Sequence, residues 1–454
     1  MKIIIAGAGR IGYTIAAELS KERHDITVID HDSDRTVDVV NTLDVITMSG
    51  NGASFDVLEE AGAEKADLLI AVTEADETNL LICLTAKKIG VPRTIARVRN
   101  REYYKLASLL KEDLGLSMTI NPEELTANEI SRILRFPAAS KVEPFANGKA
   151  ESVEIKIVQD SPLNGLQLSN FRNKITDKVL VCAVARGNEV YIPRGDFTIQ
   201  AGDRLNIIGG YKDINSFLKR NNNARHGIKT IMVFGGGMIA LYLSRQLVNT
   251  GMKLKIIERN DKACAAIKTY CPKAELVHAD GTRSDVLNEE GLSSADAFVA
   301  ITGDDEDNVI TSMYASSLGV SKVITKVNES HIIKMLVGGS LDSVLQPSSI
   351  ATQNIVQYVR SMQNAYDSSV DTLYYMFEGN VETLEFKVND SFTSLDIPLK
   401  RLHVSHDALI AAIIRDGVCI IPSGDDEIHS GDSVIVTTVR NGTQRLEDVV
   451  EARL

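Results

Sequence analysis

Short apolar runs alternate with more polar segments from the start of the chain to about residue 134. The runs are strand-sized and almost uninterrupted by polar side chains, as strands covered on both faces must be. They lie at 2–6, 26–30, 45–48, 68–72, 94–98 and, more briefly, 117–120. We predict helices between and after them at 10–20, 34–43, 55–61, 78–89 and 123–134. This alternation predicts an α/β fold with a doubly wound parallel sheet.

The pattern changes in the segment that follows. Apolar runs around 152–158, 179–186 and 204–208 occur there without long helices between them. The segment is too short for a catalytic domain, and its strands predict a small α+β module.

The whole arrangement then occurs a second time, so the chain is an internal duplication. The glycine run Gly7–Gly12 matches Gly235–Ala240, which lies 228 residues later. LLIAVTEADETN matches AFVAITGDDEDN, and the pair Gly202-Asp203 in the smaller part matches Gly431-Asp432. We predict nucleotide-binding domains at 1–140 and 228–368, each followed by an α+β module, at 141–219 and 369–454. The polar run Lys219–Gly227 is interpreted as the linker between the halves.

Composition narrows the class of protein. The chain has 454 residues, of which 44% are hydrophobic and 24% charged, and its net charge of −12 argues against nucleic acid as a partner. No tract approaches the roughly 20 apolar residues of a membrane span, and the first apolar run leads into a glycine turn rather than a signal peptide. The five cysteines contain no CxxC pair, which indicates reduced thiols. We expect a cytoplasmic protein that reaches a membrane only through a partner.

The first glycine run has the context of a dinucleotide-binding loop. A strand precedes it, a helix follows it, and Asp30 ends the next strand. Gly7 permits a tight turn, Gly9 lets backbone N–H groups approach a phosphate, and Gly12 lets helix and strand pack closely. Ala8, Arg10 and Ile11 complete the loop. Asp30 is placed to accept hydrogen bonds from ribose hydroxyls. An acid at this position disfavours a 2′-phosphate, so we expect NAD(H) or an adenosine nucleotide rather than NADP(H).

The second run keeps this plan with changes. Gly235, Gly236, Gly237, Met238 and Ile239 form the loop, and Ala240 stands where the third glycine was. Glu258 replaces Asp30, while Met238 replaces Arg10 and so removes one candidate phosphate partner. We therefore expect the two sites to differ in affinity or preference. For either loop the alternative is a doubly wound domain that has the glycine turn but no longer binds a nucleotide.

Further candidates follow the other strands, where ligands bind in this architecture. In the first half they are Asn51, Gly52, Thr73, Glu74 and Arg97, and in the second half Asp280, Thr302 and Lys326. Arg97 could bind a phosphate in a bidentate way, or it could form a surface ion pair. The acids at 74, 76, 77 and 304–307 are expected to be solvated helix starts, and Glu123 is a candidate for binding a cation.

No residue is a convincing catalyst. None of the eight histidines falls in a glycine loop, and neither GxSxG nor HExxH occurs. Hydride transfer usually needs a proton donor or acceptor beside the nicotinamide, so we predict that the protein is not an enzyme. Two alternatives stay open, an NAD-dependent oxidoreductase and a scaffold that binds nucleotide only for stability.

The order and duplication of these segments resemble the TrkA family, the cytosolic regulatory subunits of Trk-type potassium uptake systems. The resemblance rests on GAGRIG, ITVID, Asn51-Gly52, AVTEADETNLL, IARV and the short module that contains Gly-Asp, all of them doubled. It covers essentially the whole chain and implies two nucleotide-binding RCK (KTN) domains, each followed by a TrkA-C domain.

The same resemblance implies ligands and partners. Such proteins form a homo-oligomeric ring on a membrane potassium-translocating subunit, and they bind NAD(H) and also ATP or ADP. By residue match, the first site would use Gly7 to Ile11, Asp30, Thr73, Glu74 and Arg97. The second would use Gly235 to Ile239, Glu258, Thr302 and Lys326.

Overall fold

The chain folds into two compact units, each assembled from both halves of the sequence. One unit comprises 1–131 and 229–356, and the other comprises 132–228 and 357–454. The computed structural model describes residues 1–22, 24–136, 139, 141–187, 189–221, 227–248, 250–329, 331–333, 341, 343–364, 370–377, 380–439, 443 and 445–452. The domain boundaries predicted above stay a prediction.

The first unit contains two parallel sheets of the same design. The first sheet has the order β3-β2-β1-β4-β5-β6 and is built from β1 Lys2–Ala6, β2 Asp25–Asp30, β3 Ile46–Ser49, β4 Leu68–Ala71, β5 Thr94–Arg97 and β6 Leu116–Ile120. Ile3, Ile4 and Ile5 are all buried, because both faces of β1 are covered. The connecting helices are α1 Arg10–Ser20, α2 Ser33–Thr42, α3 Phe55–Glu60, α4 Asp76–Ile89, α5 Arg101–Leu109 and α6 Pro122–Arg135.

The second sheet of this unit repeats the order as β14-β13-β12-β15-β16-β17. Its strands are β12 Thr230–Phe234, β13 Lys253–Glu258, β14 Glu275–His278, β15 Ala297–Ala300, β16 Lys322–Lys326 and β17 Ser343–Leu345. Its helices are α9 Met238–Leu247, α10 Asp261–Tyr270, α11 Ser284–Glu289, α12 Asp305–Ser317 and α13 Pro347–Asn364. The predicted fold class and duplication are therefore confirmed.

The second unit holds two mostly antiparallel modules. The first has the sheet order β10-β9-β11-β8-β7 and contains β7 Lys141–Phe145, β8 Ala150–Lys156, β9 Val179–Arg186, β10 Glu189–Tyr191, β11 Arg204–Gly209, α7 Phe171–Lys174 and α8 Tyr211–Arg220. The strands of the second module are β18 Val370–Met376, β19 Val381–Lys387, β20 Leu402–Val404, β21 Ala408–Arg415, β22 Val418–Ile420, β23 Ser433–Thr438 and β24 Val450–Ala452. Five of them form a sheet with the order β18-β19-β23-β21-β22, and β20 pairs with β24 in a separate small sheet.

Several details of the sequence interpretation need correction; the helix α5 and the strand β10, for example, were not predicted. The linker was placed too early, because Lys219 and Arg220 belong to α8; positions 222–226 lie outside the described residues. The edge strand β7 was missed, because Pro144 lies within it and proline occurs in sheets mainly at edges. Among the described residues, no helix is both long and apolar enough to cross a bilayer.

An ion pair between a partly exposed arginine and a buried aspartate recurs in both modules. Arg415 donates from Nε and Nη2 to the carboxylate of Asp432 at 2.9 and 2.7 Å, and the backbone N–H of His429 donates a third bond at 2.8 Å. Arg186 and Asp203 form the same pair in the first module, at 2.8 Å for each bond. Burial of Asp432 opposes its ionisation, but these donors outweigh that effect and hold the pKa of the carboxyl below its usual range.

We expect this pair to make the second module acid-sensitive. Because the pKa of Asp432 is lower in the folded than in the unfolded chain, its ionised carboxylate stabilises the fold at pH values above the unfolded pKa of about 3.9. This stabilisation is lost as the pH falls through the pKa of the folded state. Asp432→Asn should remove that dependence and cost about 2 kcal/mol at neutral pH, since Arg415 is one-third exposed. Thermal unfolding from pH 7 to pH 3 checks this, with exposed Asp390→Asn as the control; equal melting curves would contradict it.

Candidate nucleotide-binding sites

At two of the three glycines of the first loop, a larger residue would clash with the neighbouring backbone. Gly7 has φ +110°, and a Cβ there would lie 2.9 Å from the backbone of Val72 and Thr73. A Cβ on Gly12 would lie 1.8 Å from the carbonyl oxygen of Gly7. By contrast, a Cβ on Gly9 would meet only Arg35 Nη1, at 3.8 Å. The fold itself does not need glycine at position 9, so the open space there suits the close approach of a phosphate.

Asp30 holds this loop through backbone hydrogen bonds. Its Oδ2 accepts the N–H of Ala8 at 2.6 Å, and its Oδ1 accepts the N–H of Asp32 at 2.9 Å. The side chain is buried, yet each carboxylate oxygen can accept a second bond. Asp30 can therefore fix the loop and still accept a ribose hydroxyl. Ile11 is buried behind the loop, at the start of α1.

Asn79 ties together two strand ends that carry predicted site residues. Its Oδ1 accepts the N–H of Thr73 at 2.8 Å and the Thr73 hydroxyl at 2.7 Å, and its Nδ2 donates to the Arg97 carbonyl at 2.9 Å. Asn308 makes the same bonds to Thr302 and Lys326 in the second half. Sequence reasoning matched these asparagines but gave them no role. Their recurrence inside both nucleotide-type domains was the available signal.

The cations at the end of the fifth strand point inward. Arg97 Nη1 lies 3.5 Å from the Thr73 carbonyl oxygen, and its buried Nε has no partner among the described residues. Burial, and then the neighbouring charge of Arg99, lowers the pKa of Arg97. Burial likewise lowers the pKa of Lys326. These side chains are not surface ion pairs; each is a desolvated cation that would gain from an anionic ligand.

Three further arginines surround the first loop, and two of them were not predicted. Arg10 pairs with Glu329 of the second half at 2.6 Å. Arg35 lies over Gly9 and faces Glu74 at 3.7 Å, while Arg99 Nη2 donates to the Glu74 carbonyl at 2.5 Å. The fold alone brings Arg35 and Arg99 here, because neither lies in a recognisable motif.

The second loop repeats the construction with changed details. Gly235 has φ +106°, and a Cβ there would lie 2.9 Å from the Thr302 nitrogen. Glu258 holds the second loop as Asp30 holds the first. Its Oε2 accepts the backbone N–H of Gly236 at 2.6 Å, and its Oε1 accepts the backbone N–H of Asn260 at 2.6 Å. A Cβ on Gly237 would meet nothing within 4 Å, so the space for a phosphate is open here as well. Ala240 is fully buried, while Met238 is exposed; buried Ile239 lies between them.

A cavity of about 380 Å³ opens beside this second loop. Its size suits a small-molecule ligand. It is lined by Phe234, Gly235, Gly237, Ile257, Glu258, Arg259, Ala279, Gly281, Ile301, Thr302, Gly303, Asp304 and Asp307. Three carboxylates, those of Glu258, Asp304 and Asp307, therefore lie in the cavity wall. Burial and then the charge of Asp304 raise the pKa of Asp307.

The residues after the third strand form matching turns at the predicted position. Asn51 Oδ1 accepts the N–H of Ala53 at 3.0 Å, and Asp280 Oδ1 accepts that of Thr282 at 3.1 Å. A Cβ on Gly52 would lie 3.2 Å from that of Ala6, at the end of the central strand. These turns therefore border the glycine loops, as the strand order requires.

The prediction of solvated acids was wrong for two positions. Asp76 and Asp305 do begin helices, but both side chains are buried. Asp76 Oδ2 accepts the backbone N–H groups of Arg99 and Asn100, at 2.9 and 2.7 Å. In the second half, Asp305 Oδ2 accepts the backbone N–H groups of Asn328 and Glu329 in the same way. Their role is to hold the chain that follows the fifth strand. The cation role considered for Glu123 stays a prediction; its negative charge raises the pKa of Arg97 and of Lys326, against the larger effect of burial.

Comparison with known proteins matches both halves of the chain to the same two families. The TrkA-N domain matches 3–122 and 231–347, and the TrkA-C domain matches 153–221 and 384–450. The Trk system potassium uptake protein TrkA homolog of Archaeoglobus fulgidus is 31% identical over 99% of this chain and 100% of its own length. The Trk system potassium uptake protein TrkA of Halomonas elongata is 30% identical over 99% of this chain and 98% of its own.

Solved structures share the fold. The GsuK RCK domain aligns with a TM-score of 0.62 at 16% identity, covering 96% of this chain and 92% of that one. The GsuK channel bound to NAD aligns with a TM-score of 0.62 at 17% identity, covering 96% and 76%.

Proposed function

Because this chain belongs to the TrkA family, we propose that it regulates a Trk-type potassium uptake system by binding nucleotides in its two Rossmann-like domains. In this proposal the chain is a regulator and not an enzyme, in keeping with relatives that are named as potassium uptake proteins. In our proposal the ligands are NAD(H) and ATP or ADP, held by the two glycine loops with Asp30 and Glu258. An acid at the ribose position disfavours a 2′-phosphate.

The observation that carries this proposal is that each nucleotide domain contacts the other next to its glycine loop. Arg10, the first residue after the first loop, pairs with Glu329 of the second half at 2.6 Å. Tyr242, on the helix that follows the second loop, accepts a hydrogen bond from Asn121 of the first half at 2.9 Å. A ligand that favours one arrangement of these contacts shifts the equilibrium between arrangements by its differential affinity. Neither contact would be needed for hydride transfer.

The exposed apolar residues support self-association into a ring. Leu81 on α4 and Ile310 on α12 occupy matching positions in the two halves and are 51% and 66% exposed. Leu109, at the end of α5, is 82% exposed. Large apolar side chains at repeated positions are typical of surfaces that are covered in an assembly. We propose that copies of this chain form a homo-oligomeric ring, that the ring docks on a membrane potassium-translocating subunit, and that this partner places it on the cytoplasmic face of the membrane.

Reconstitution with the membrane subunit of the same transport system tests this function. We expect potassium flux into vesicles to change several-fold between ATP, ADP and NADH. Glu329→Gln removes the charge pair with Arg10 without entering the loop, so it should keep nucleotide binding and reduce the flux response at least by half. Exposed Glu306→Gln is the matched control. Nucleotides that bind tightly and leave flux unchanged would refute the proposal.

A further inference from the structure

The two glycine loops share a backbone design but differ in the charges around it. Guanidinium groups of Arg10, Arg35, Arg97 and Arg99 lie around the first loop. Arg35 Nη1 is the nearest side-chain atom to a Cβ placed on Gly9, and Arg97 and Arg99 contact the carbonyls of residues 73 and 74. The first loop is therefore bordered by four guanidinium groups, of which Arg10 already pairs with Glu329 and Arg35 with Glu74.

The second loop lacks most of this charge. The matching positions hold Met238, Ala263, Lys326 and Asn328, so one cation remains of four. Two carboxylates line the cavity instead, because Asp304 and Asp307 stand where the first half has Ala75 and Thr78. Arg259, which follows Glu258, is the one added cation in the wall. Asp304 and Asp307 outnumber Arg259 in this wall. The first loop is the more positive of the two, even though Arg10 and Arg35 there pair with Glu329 and Glu74.

The entrance also differs. In the first half, Arg35 on α2 faces Glu74 on the loop after β4 at 3.7 Å, so a charge pair crosses the mouth beside Gly9. In the second half, Ala263 and Gly303 take these two positions. The cavity there continues past the glycine loop along Thr302, Gly303 and Asp304. A ligand that extends beyond its diphosphate has a free path at the second site and must displace a charge pair at the first.

We propose that the two sites take different classes of ligand, with Arg35 as a specificity-determining residue. The first site takes a nucleoside triphosphate, whose terminal phosphates match the surplus of guanidinium groups. The second takes a dinucleotide, which carries less negative charge and needs the open path for its second nucleoside. This inference rests on the proposed function and names the ligand of each site.

Single-site proteins allow a direct test. Gly9→Leu and Gly237→Leu put a side chain where a phosphate would lie, at positions of extended or ordinary backbone where a Cβ meets nothing closer than 3.8 Å. Gly237→Leu thus leaves only the first site open, and Gly9→Leu leaves only the second. Calorimetric titration of each full-length variant with AMP, ADP, ATP and NAD then reports one site at a time.

For the first site we expect affinity to rise about tenfold with each added phosphate from AMP to ATP, and to fall with added salt. Adding Arg35→Ala should remove at least tenfold of the ATP affinity and leave AMP binding within a few-fold. For the second site we expect NAD to bind at least tenfold more tightly than ATP. Introducing Ala263→Arg there should raise ATP affinity, since it restores the missing guanidinium.

Each alternative outcome is decisive. If both single-site proteins bind nucleotides in the same order of affinity, or if Arg35→Ala weakens AMP and ATP equally, the assignment of two ligand classes is wrong while the proposed function stands. If neither variant nor the wild type binds any of the four ligands, the proposed function itself fails.

Discussion

Gly12→Ala is expected to destabilise the first nucleotide-binding domain by about 3 kcal/mol, at the upper end of what overpacking costs. The added methyl group would lie 1.8 Å from the carbonyl oxygen of Gly7. The helix would have to move by roughly 1 Å, and a close-packed interior resists such a movement. Gly7 cannot retreat, because it is wedged against the backbone of Val72 and Thr73 and its N–H donates to the Ile29 carbonyl at 2.8 Å.

The second half supplies the matched control. Ala240 already carries the methyl group at the equivalent position and is fully buried, so the second loop accommodates it. Ala240→Gly should cost only about 1 kcal/mol, the ordinary penalty for glycine in a helix. The same pair of residue types thus gives unequal penalties in two copies of one fold.

Calorimetry with hydrogen exchange of each half measures the difference. For Gly12→Ala we expect a fall of about 10 °C in the melting temperature of the first domain, with faster exchange in peptides from 1–131. Ala240→Gly should lower melting by only a few degrees. Equal shifts for the two substitutions would show that the first loop can open to admit a methyl group.

Features that depend on neighbours in the sequence could be predicted. Each glycine loop is fixed by residues within a few positions of one another, and the acid at the end of the next strand lies at a set spacing. Asp30 and Glu258 accordingly lie beside their glycine loops, where they also accept loop N–H groups that the sequence did not predict as partners. The doubly wound parallel sheet follows from the same local alternation of strands and helices.

Features that depend on how elements dock could not be predicted. Arg35 lies over Gly9 only because of the way α2 packs beside the loop. Asp76 looked like a solvated helix start, since acids are common there, but its carboxylate caps backbone N–H groups 23 and 24 residues later. The contact between Asn121 and Tyr242 joins residues 121 positions apart, and no local pattern announces it.

Asp30→Asn is expected to weaken nucleotide binding at the first site by 10- to 100-fold, which is about 1.5 to 3 kcal/mol for lost bonds to a charged acceptor. The substitution preserves the volume of the side chain. It turns one oxygen into an NH2 group, so one of the two N–H groups that Asp30 accepts, from Ala8 or Asp32, would face a donor. The same change removes the negative charge and one of the two oxygens that could accept a ribose hydroxyl, so loop geometry and direct contact are both affected.

Two comparisons separate these contributions. Asp34→Asn makes the same charge change four residues away on the exposed first turn of α2, and it should leave affinity within a few-fold. Glu258→Gln should weaken the second site and leave the first unchanged. Titration of the single-site proteins gives the affinities, and melting without ligand gives the cost to the loop. If Asp30→Asn lowers the melting temperature while binding stays as tight as in wild type, then Asp30 only supports the loop and the ribose contact does not exist.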